Sequence, residues 1–129
     1  KGRRSKDLAR IHFRLASIAE KEGELPKALE QYNAAYGIDA GHLPTLIALG
    51  RLYMNQSDWE KARRIYRSML LQNLDPAAGV TRADVYLHLG EIHEKLGEGP
   101  KAVGMYERGL ELDPNHAGLL LAMGRVRQS

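Results

Sequence analysis

The residues best equipped for chemistry are five histidines, His12, His42, His88, His93 and His116, spread among sixteen acids. Asp84, His88 and Glu91 stand at i, i+4 and i+7. That spacing puts them on one helical face, an arrangement compatible with a weak imidazole-and-carboxylate metal site. A solvated or salt-bridged helix face accounts for the same residues better, so no metal and no cofactor is expected. The sequence has no G-x-S-x-G, no P-loop and no H-E-x-x-H, and its glycines stand singly rather than as a phosphate cradle. Cysteine is absent, which removes disulfides and thiolate metal sites and leaves the redox compartment open. No catalytic residue is assigned.

The elements that would carry such residues read most plainly from Ala83 to His116. Tyr86, Leu89, Gly90 and His93 fall at i, i+3, i+4 and i+7, and Ala102, Met105, Tyr106 and Gly109 repeat that spacing after a break at Gly97-Glu98-Gly99. Pro100 suits a first helical turn, where its missing N–H has no partner to lose. Asp113-Pro114-Asn115 ends the second helix. Gly90, Ala102 and Gly109 are small residues among large ones, which two antiparallel helices need where they cross closely.

With those residues in view, the segment resembles the tetratricopeptide repeat, a helix–turn–helix unit of 34 residues. Counted from Ala83, the small residues take positions 8, 20 and 27, and Pro114 takes position 32. Gly50 and Ala62 each precede Gly90 and Ala102 by 40 residues, and Ala16 and Ala28 precede Gly50 and Ala62 by 34. The repeats are then 9–42, 43–76 and 83–116, with 77–82 an inserted loop and 117–129 a partial fourth unit carrying Gly124 at its position 8. The resemblance implies an all-α fold, a right-handed superhelical α-solenoid of antiparallel helix pairs, three units plus one extra helix. It also makes His93 a packed residue at an inward position and Trp59 a core aromatic.

Length and charge agree. A chain of 129 residues suits one array, because a single repeat cannot bury its own apolar face and stacked repeats can. No apolar run approaches the length of a membrane span, no signal pattern precedes the repeats, and the expected compartment is the cytoplasm. The formal charge is +3. Residues 1–22 carry seven Lys/Arg against three acids, so the basic character is terminal and reads as a solvated end. The first residue is not Met, and the chain is expected to be a piece of something longer.

Taken in order, Lys1 to Lys6 should fray and Asp7 should cap the first helix, with Ile11, Leu15, Ile18 and Ala19 turned inward. Ser57 to Glu60 reads as a capping box, and Thr81 with Asp84 as another capping pair. Met69 stands where a small residue is usual, and Leu74-Asp75-Pro76 comes late. A longer second helix and a looser junction are expected there. At the end, Leu119, Leu120, Leu121, Met123 and Val126 are too apolar for a capping helix. The parent chain should continue, and residues 117–129 should favour self-association.

Function follows from the resemblance. In the family, first helices line a concave groove. Carried over, position 5 is Phe13, Ile47, Leu87 and Leu121, an apolar stripe; position 9 is Ser17, Arg51, Glu91 and Arg125; position 12 is Glu20, Met54, Glu94 and Gln128. Such a groove would hold an extended segment or an amphipathic helix of a protein partner. Partial burial between neighbouring helices would produce the same stripe. The positions that hold a C-terminal carboxylate in chaperone-binding members are Phe13, Ser17, Ala48, Asp84 and His88 here. None matches, so a chaperone tail is not the expected partner. The alternative function is RNA association: Trp59 to Arg67 resembles a half-a-tetratricopeptide helix, with Lys61, Arg63, Arg64 and Arg67 as a basic patch.

Overall fold

Proline and capping residues decide where the helices of this protein begin. The computed structural model describes residues 2–74 and 78–128, and among them seven helices and no strand. They are α1 (Gly2–Lys21), α2 (Leu25–Ile38), α3 (Leu43–Asn55), α4 (Trp59–Met69), α5 (Arg82–Lys95), α6 (Gly99–Leu112) and α7 (Ala117–Gln128). Pro26, Pro44 and Pro100 fall in the first turns of α2, α3 and α6, where a missing N–H costs nothing. At α5, Thr81 Oγ1 accepts from the Asp84 N–H (3.1 Å) and Asp84 Oδ2 accepts from the Thr81 N–H (3.0 Å), a complete capping box.

The turns after α1, α3 and α5 share one device. Gly23, Ser57 and Gly97 hold φ of 79°, 59° and 77°, the left-handed conformation that reverses a chain at a helix end. Ser57 therefore does not cap α4. Asp58 does, accepting from the Lys61 N–H at 3.4 Å. Two other expectations about ends are also corrected. Helix α1 already runs from Gly2, so Asp7 lies inside it and pairs with Arg10 instead. Helix α4 has 11 residues against 14 in α2 and α6: it is shorter, not longer. Past Met69 the chain tightens into i→i+3 bonds, Leu70 N–H to Arg67 and Leu71 N–H to Ser68. The stop expected at Leu74-Asp75-Pro76 and the start of the 77–82 loop fall partly on residues 75–77, outside the described residues.

The chain divides into two compact units, Lys1–Ser57 and Asp58–Ser129. In the first, α1 and α2 form an antiparallel hairpin whose crossing is built from alanines: Ala9, Ala16, Ala28 and Ala35 are wholly buried, with Ala19 nearly so. Ile11, Leu15 and Ile18 are about half exposed, contrary to the inward placement expected for them. Helix α1 has two apolar faces. The one that packs is the face with small side chains, because axes approach closely only there and dispersion contacts multiply at short range.

In the second unit α5 and α6 form the corresponding hairpin, with α4 and α7 packed on it. Ala83, Ala102, Tyr106, Leu119, Ala122 and Met123 make its core. Two glycines are required by close approach. A Cβ at Gly90 would lie 2.2 Å from the Tyr106 ring, and one at Gly109 would lie 2.6 Å from Leu119. Gly124, by contrast, faces open space. His93 is buried, as expected, and its Nδ1 meets Glu98 Oε1 at 2.7 Å. Trp59 is only partly buried, and Lys95 Nζ lies 5.9 Å from its ring centre.

Candidate partner-binding face

Three side chains recur in the same arrangement in both units. In the first unit, Tyr32 Oη on α2 donates to Glu20 Oε1 on α1 at 2.7 Å. Arg51 on α3 grips the same carboxylate with both guanidinium nitrogens, at 2.6 and 3.1 Å. In the second unit, Tyr106 on α6 donates to Glu94 on α5, and Arg125 on α7 reaches that carboxylate at 2.5 Å. Each member of the second triad follows its counterpart by the same number of residues. One carboxylate thus ties three successive helices together, and a charge-assisted bond of this kind is stronger than a neutral one.

Each triad sets the local electrostatics of its own unit. The Arg51 guanidinium holds Glu20 below the usual carboxylate range, against burial, with help from Tyr32 and the Arg51 charge. For Glu94, burial pushes upward, but the bonds from Arg125 and Tyr106 outweigh it and the net shift is down. Burial, reinforced by Glu94, raises Tyr106 well above an ordinary phenol. Arg51 and Arg125 are therefore counter-ions to groups of their own unit and fixed in direction by them.

The residues expected to line the face are placed as follows. Phe13 is half-buried, its ring 5.7 Å from that of Tyr32 and edge-on to His42 at 5.5 Å. Ser17 turns its hydroxyl toward Tyr32 Oη at 3.4 Å. Ile47 and Met54 are half-buried. Leu87 is half-buried too, and it lies where a Cβ on Gly118 would come within 2.8 Å of it. Leu121 stands out at 73% exposed. Glu91 meets His88 Nδ1 at 3.2 Å, while the His88 ring stacks on Tyr66 with centroids 4.9 Å apart. Partial burial thus accounts for much of the stripe in Phe13 and Leu87, and not for Leu121.

Asp84 is committed to the α5 capping box and to His116 Nε2 at 2.6 Å. Its carboxyl is pushed up by burial, yet the bonds from His116 and Thr81 leave it below the usual range. Asp84, His88 and Glu91 do not converge on a shared point; no cluster of three His, Asp or Glu side chains suited to a metal occurs among the described residues. The basic patch is partly balanced: Lys61 pairs with Asp58 at 3.7 Å and Arg63 with Glu60. Arg63, Arg64, Arg67, Ser68 and Leu71, with Glu60, line a surface hollow of about 440 Å³.

Sequence reasoning placed Glu20 and Glu94 at position 12 of their repeats and overlooked the bonds that Tyr32 and Tyr106 make to them. The usable signal was the recurrence of Glu, Tyr and Arg at equal intervals.

Comparison with known families settles the lineage. Two tetratricopeptide-repeat models match, one over residues 19–81 and one over residues 83–126. The chain belongs to the tetratricopeptide-repeat family. No curated protein matches the sequence. Among solved structures, the N-terminal domain of stress-induced protein-1 (STI-1) from C. elegans is similar at a TM-score of 0.75 and 15% identity, covering 95% of this chain and 97% of that one. The Arabidopsis OM64 TPR domain gives 0.73 and 17%, covering 96% and 98%. The first TPR of Spaghetti (RPAP3), bound to the HSP90 peptide SRMEEVD, gives 0.73 and 18%, covering 95% and 93%. At these identities the likeness is one of fold: this tetratricopeptide-repeat chain is an all-α helical repeat. No helix among its described residues is long and apolar enough to cross a membrane.

Proposed function

We infer that this tetratricopeptide-repeat protein is a protein-interaction scaffold with no catalytic role, and that it docks an extended or helical segment of a partner on its first helices. The observation that carries the reading is the apolar character of one register position. Phe13, Ile47, Leu87 and Leu121 all occupy it, and none of the four is fully buried. Beside two of them stand Arg51 and Arg125, held in place by their triads, so a partner meets preorganised rather than mobile cations. Peptide complexes of similar folds support the mode of binding, and the side chains decide the ligand. Where a carboxylate clamp needs cations and amides, this chain offers Phe13, Ser17, Ala48, Asp84 and His88, of which Ser17, Asp84 and His88 already hold hydrogen bonds within the chain. The proposed partner segment is apolar and is not a chaperone C-terminal tail.

A peptide-array screen of amphipathic and extended segments, followed by anisotropy titration, tests this. Leu121→Asp should weaken the best ligand by about tenfold or more, the loss of one buried apolar anchor, and a peptide ending in EEVD should not bind. Micromolar binding of the EEVD peptide, or indifference of all ligands to Leu121→Asp, would refute the reading. The hollow around Arg64 and Arg67 supports a second reading, contact with RNA phosphates. That binding would fall steeply with salt, whereas apolar docking would not.

A further inference from the structure

The exposed face of α1 has a pattern that its packing does not use. Leu8, Ile11, Leu15 and Ile18 stand at i, i+3, i+7 and i+10, the spacing of a two-helix seam, and each is between 43% and 54% exposed. At about 100° per residue this stripe lies roughly opposite Phe13 and Ser17, so it is separate from the proposed docking face. Beside it, Leu15, Ile18 and Ala19 with Glu22, Glu24, Lys27 and Gln31 border a hollow of about 290 Å³. Four large side chains in a row on one helix face are more than solitary surface apolar residues, which need no explanation.

The ends of the stripe indicate what covers it. Arg4 lies one turn before Leu8 and Glu22 one turn after Ile18, both exposed and on the same face. The stripe is therefore self-complementary when reversed. An antiparallel copy sets Leu8 against Ile18, Ile11 against Leu15, and Arg4 against Glu22 twice over. A parallel copy would set Arg4 on Arg4 and Glu22 on Glu22. Helix α7 of another copy, with its exposed Leu120 and Leu121, fits less well: it carries Arg125 and Arg127 and no acid, and the rim of α1 already holds Arg14 and Lys21. We propose that two copies of this chain pair through α1, antiparallel about a two-fold axis, with Leu8, Ile11, Leu15 and Ile18 as the seam and reciprocal Arg4–Glu22 pairs closing its ends. Arg14 comes near its own copy by the axis, and that repulsion weakens the pairing.

Sedimentation velocity on the 129-residue chain over a concentration series tests the proposal. The average mass should rise from 14.4 kDa toward twice that value. Leu15→Glu should hold it at the lower value with an unchanged helical spectrum, since Leu15 is already half exposed. Arg4→Glu and Glu22→Arg alone should each weaken association about tenfold, as attractive end pairs become repulsive. The double exchange should restore it. A chain that stays monomeric throughout overturns the proposal and leaves the stripe to another occupant. So does a dimer indifferent to Leu15→Glu, one lost instead in Leu121→Asp, or single exchanges that the double one does not rescue.

Discussion

Gly90→Ala should destabilise the second unit, although the substitution is ordinarily favourable in a helix. The gain from restricting the unfolded backbone is about 1 kcal/mol. Against it, the new methyl would stand 2.2, 2.5 and 2.8 Å from three Tyr106 ring carbons, where carbon atoms prefer about 3.5–4.0 Å. The ring is wholly buried and cannot swing aside without giving up its bond to Glu94. Overpacking of this kind costs about 1–3 kcal/mol, and loss of a bond to a carboxylate that remains partly solvated adds about 1 kcal/mol. The net is a loss of about 1–3 kcal/mol, or a fall in Tm of about 4–12 °C for a chain of this size. Gly104→Ala is the matched control, since a Cβ there meets nothing within 4 Å in the next helix along; it should raise stability by about 0.5–1 kcal/mol. Urea unfolding followed by circular dichroism and by the single tryptophan, Trp59 in the second unit, measures both. If Gly90→Ala proved as stable as the parent chain, the close crossing of α5 and α6 would be wrong.

Other expectations are simpler to state. Ser57→Gly should stabilise the first unit by about 1 kcal/mol, because serine at φ 59° bears a steric cost that glycine does not; a lower urea midpoint would contradict the turn geometry. Ala102→Leu should cost about 1–3 kcal/mol through overfilling of a wholly buried site, seen as a lower melting midpoint. Glu20 and Glu94 are held below their ordinary value of 4.5 in the folded chain, so their stabilisation is complete above that pH and is lost as pH falls through the depressed values. The double variant Glu20→Gln/Glu94→Gln should therefore be less stable than the parent at pH 7, and the gap should close on acidification. A constant gap from neutral to strongly acid pH would show that the carboxylate charges do not matter.

Small residues made the hairpins legible from sequence alone, since Gly90, Ala102 and Gly109 sit where nothing larger fits. Proline at three helix starts and the Thr81–Asp84 box were equally plain. Helix α1 misled because it has two apolar faces, and periodicity favours the one with larger residues, whereas close packing selects alanine. Ser57 misled because S-x-x-E is satisfied by the letters alone; its alignment with Gly23 and Gly97 pointed to the turn it makes. The shortening of α4 has no marker beyond Met69, and local sequence does not report where a helix tightens into i→i+3 bonds. The triads were hidden for another reason: each joins residues far apart in the chain, so no local window contains them.

His116 shows how the aim of a surface can be decided by a group that never belongs to it. Its Nδ1 accepts from the Leu119 N–H at 3.2 Å, at the start of α7, while Nε2 lies 2.6 Å from Asp84 on α5. One imidazole nitrogen must be bare and the other must carry the hydrogen, so a single tautomer serves as both latch and collar for the helix that bears Leu121 and Arg125. Asparagine in its place would keep the collar and release the latch. The cap on the first turn of α7 and the tie from that helix to α5 therefore rest on separate nitrogens of one ring.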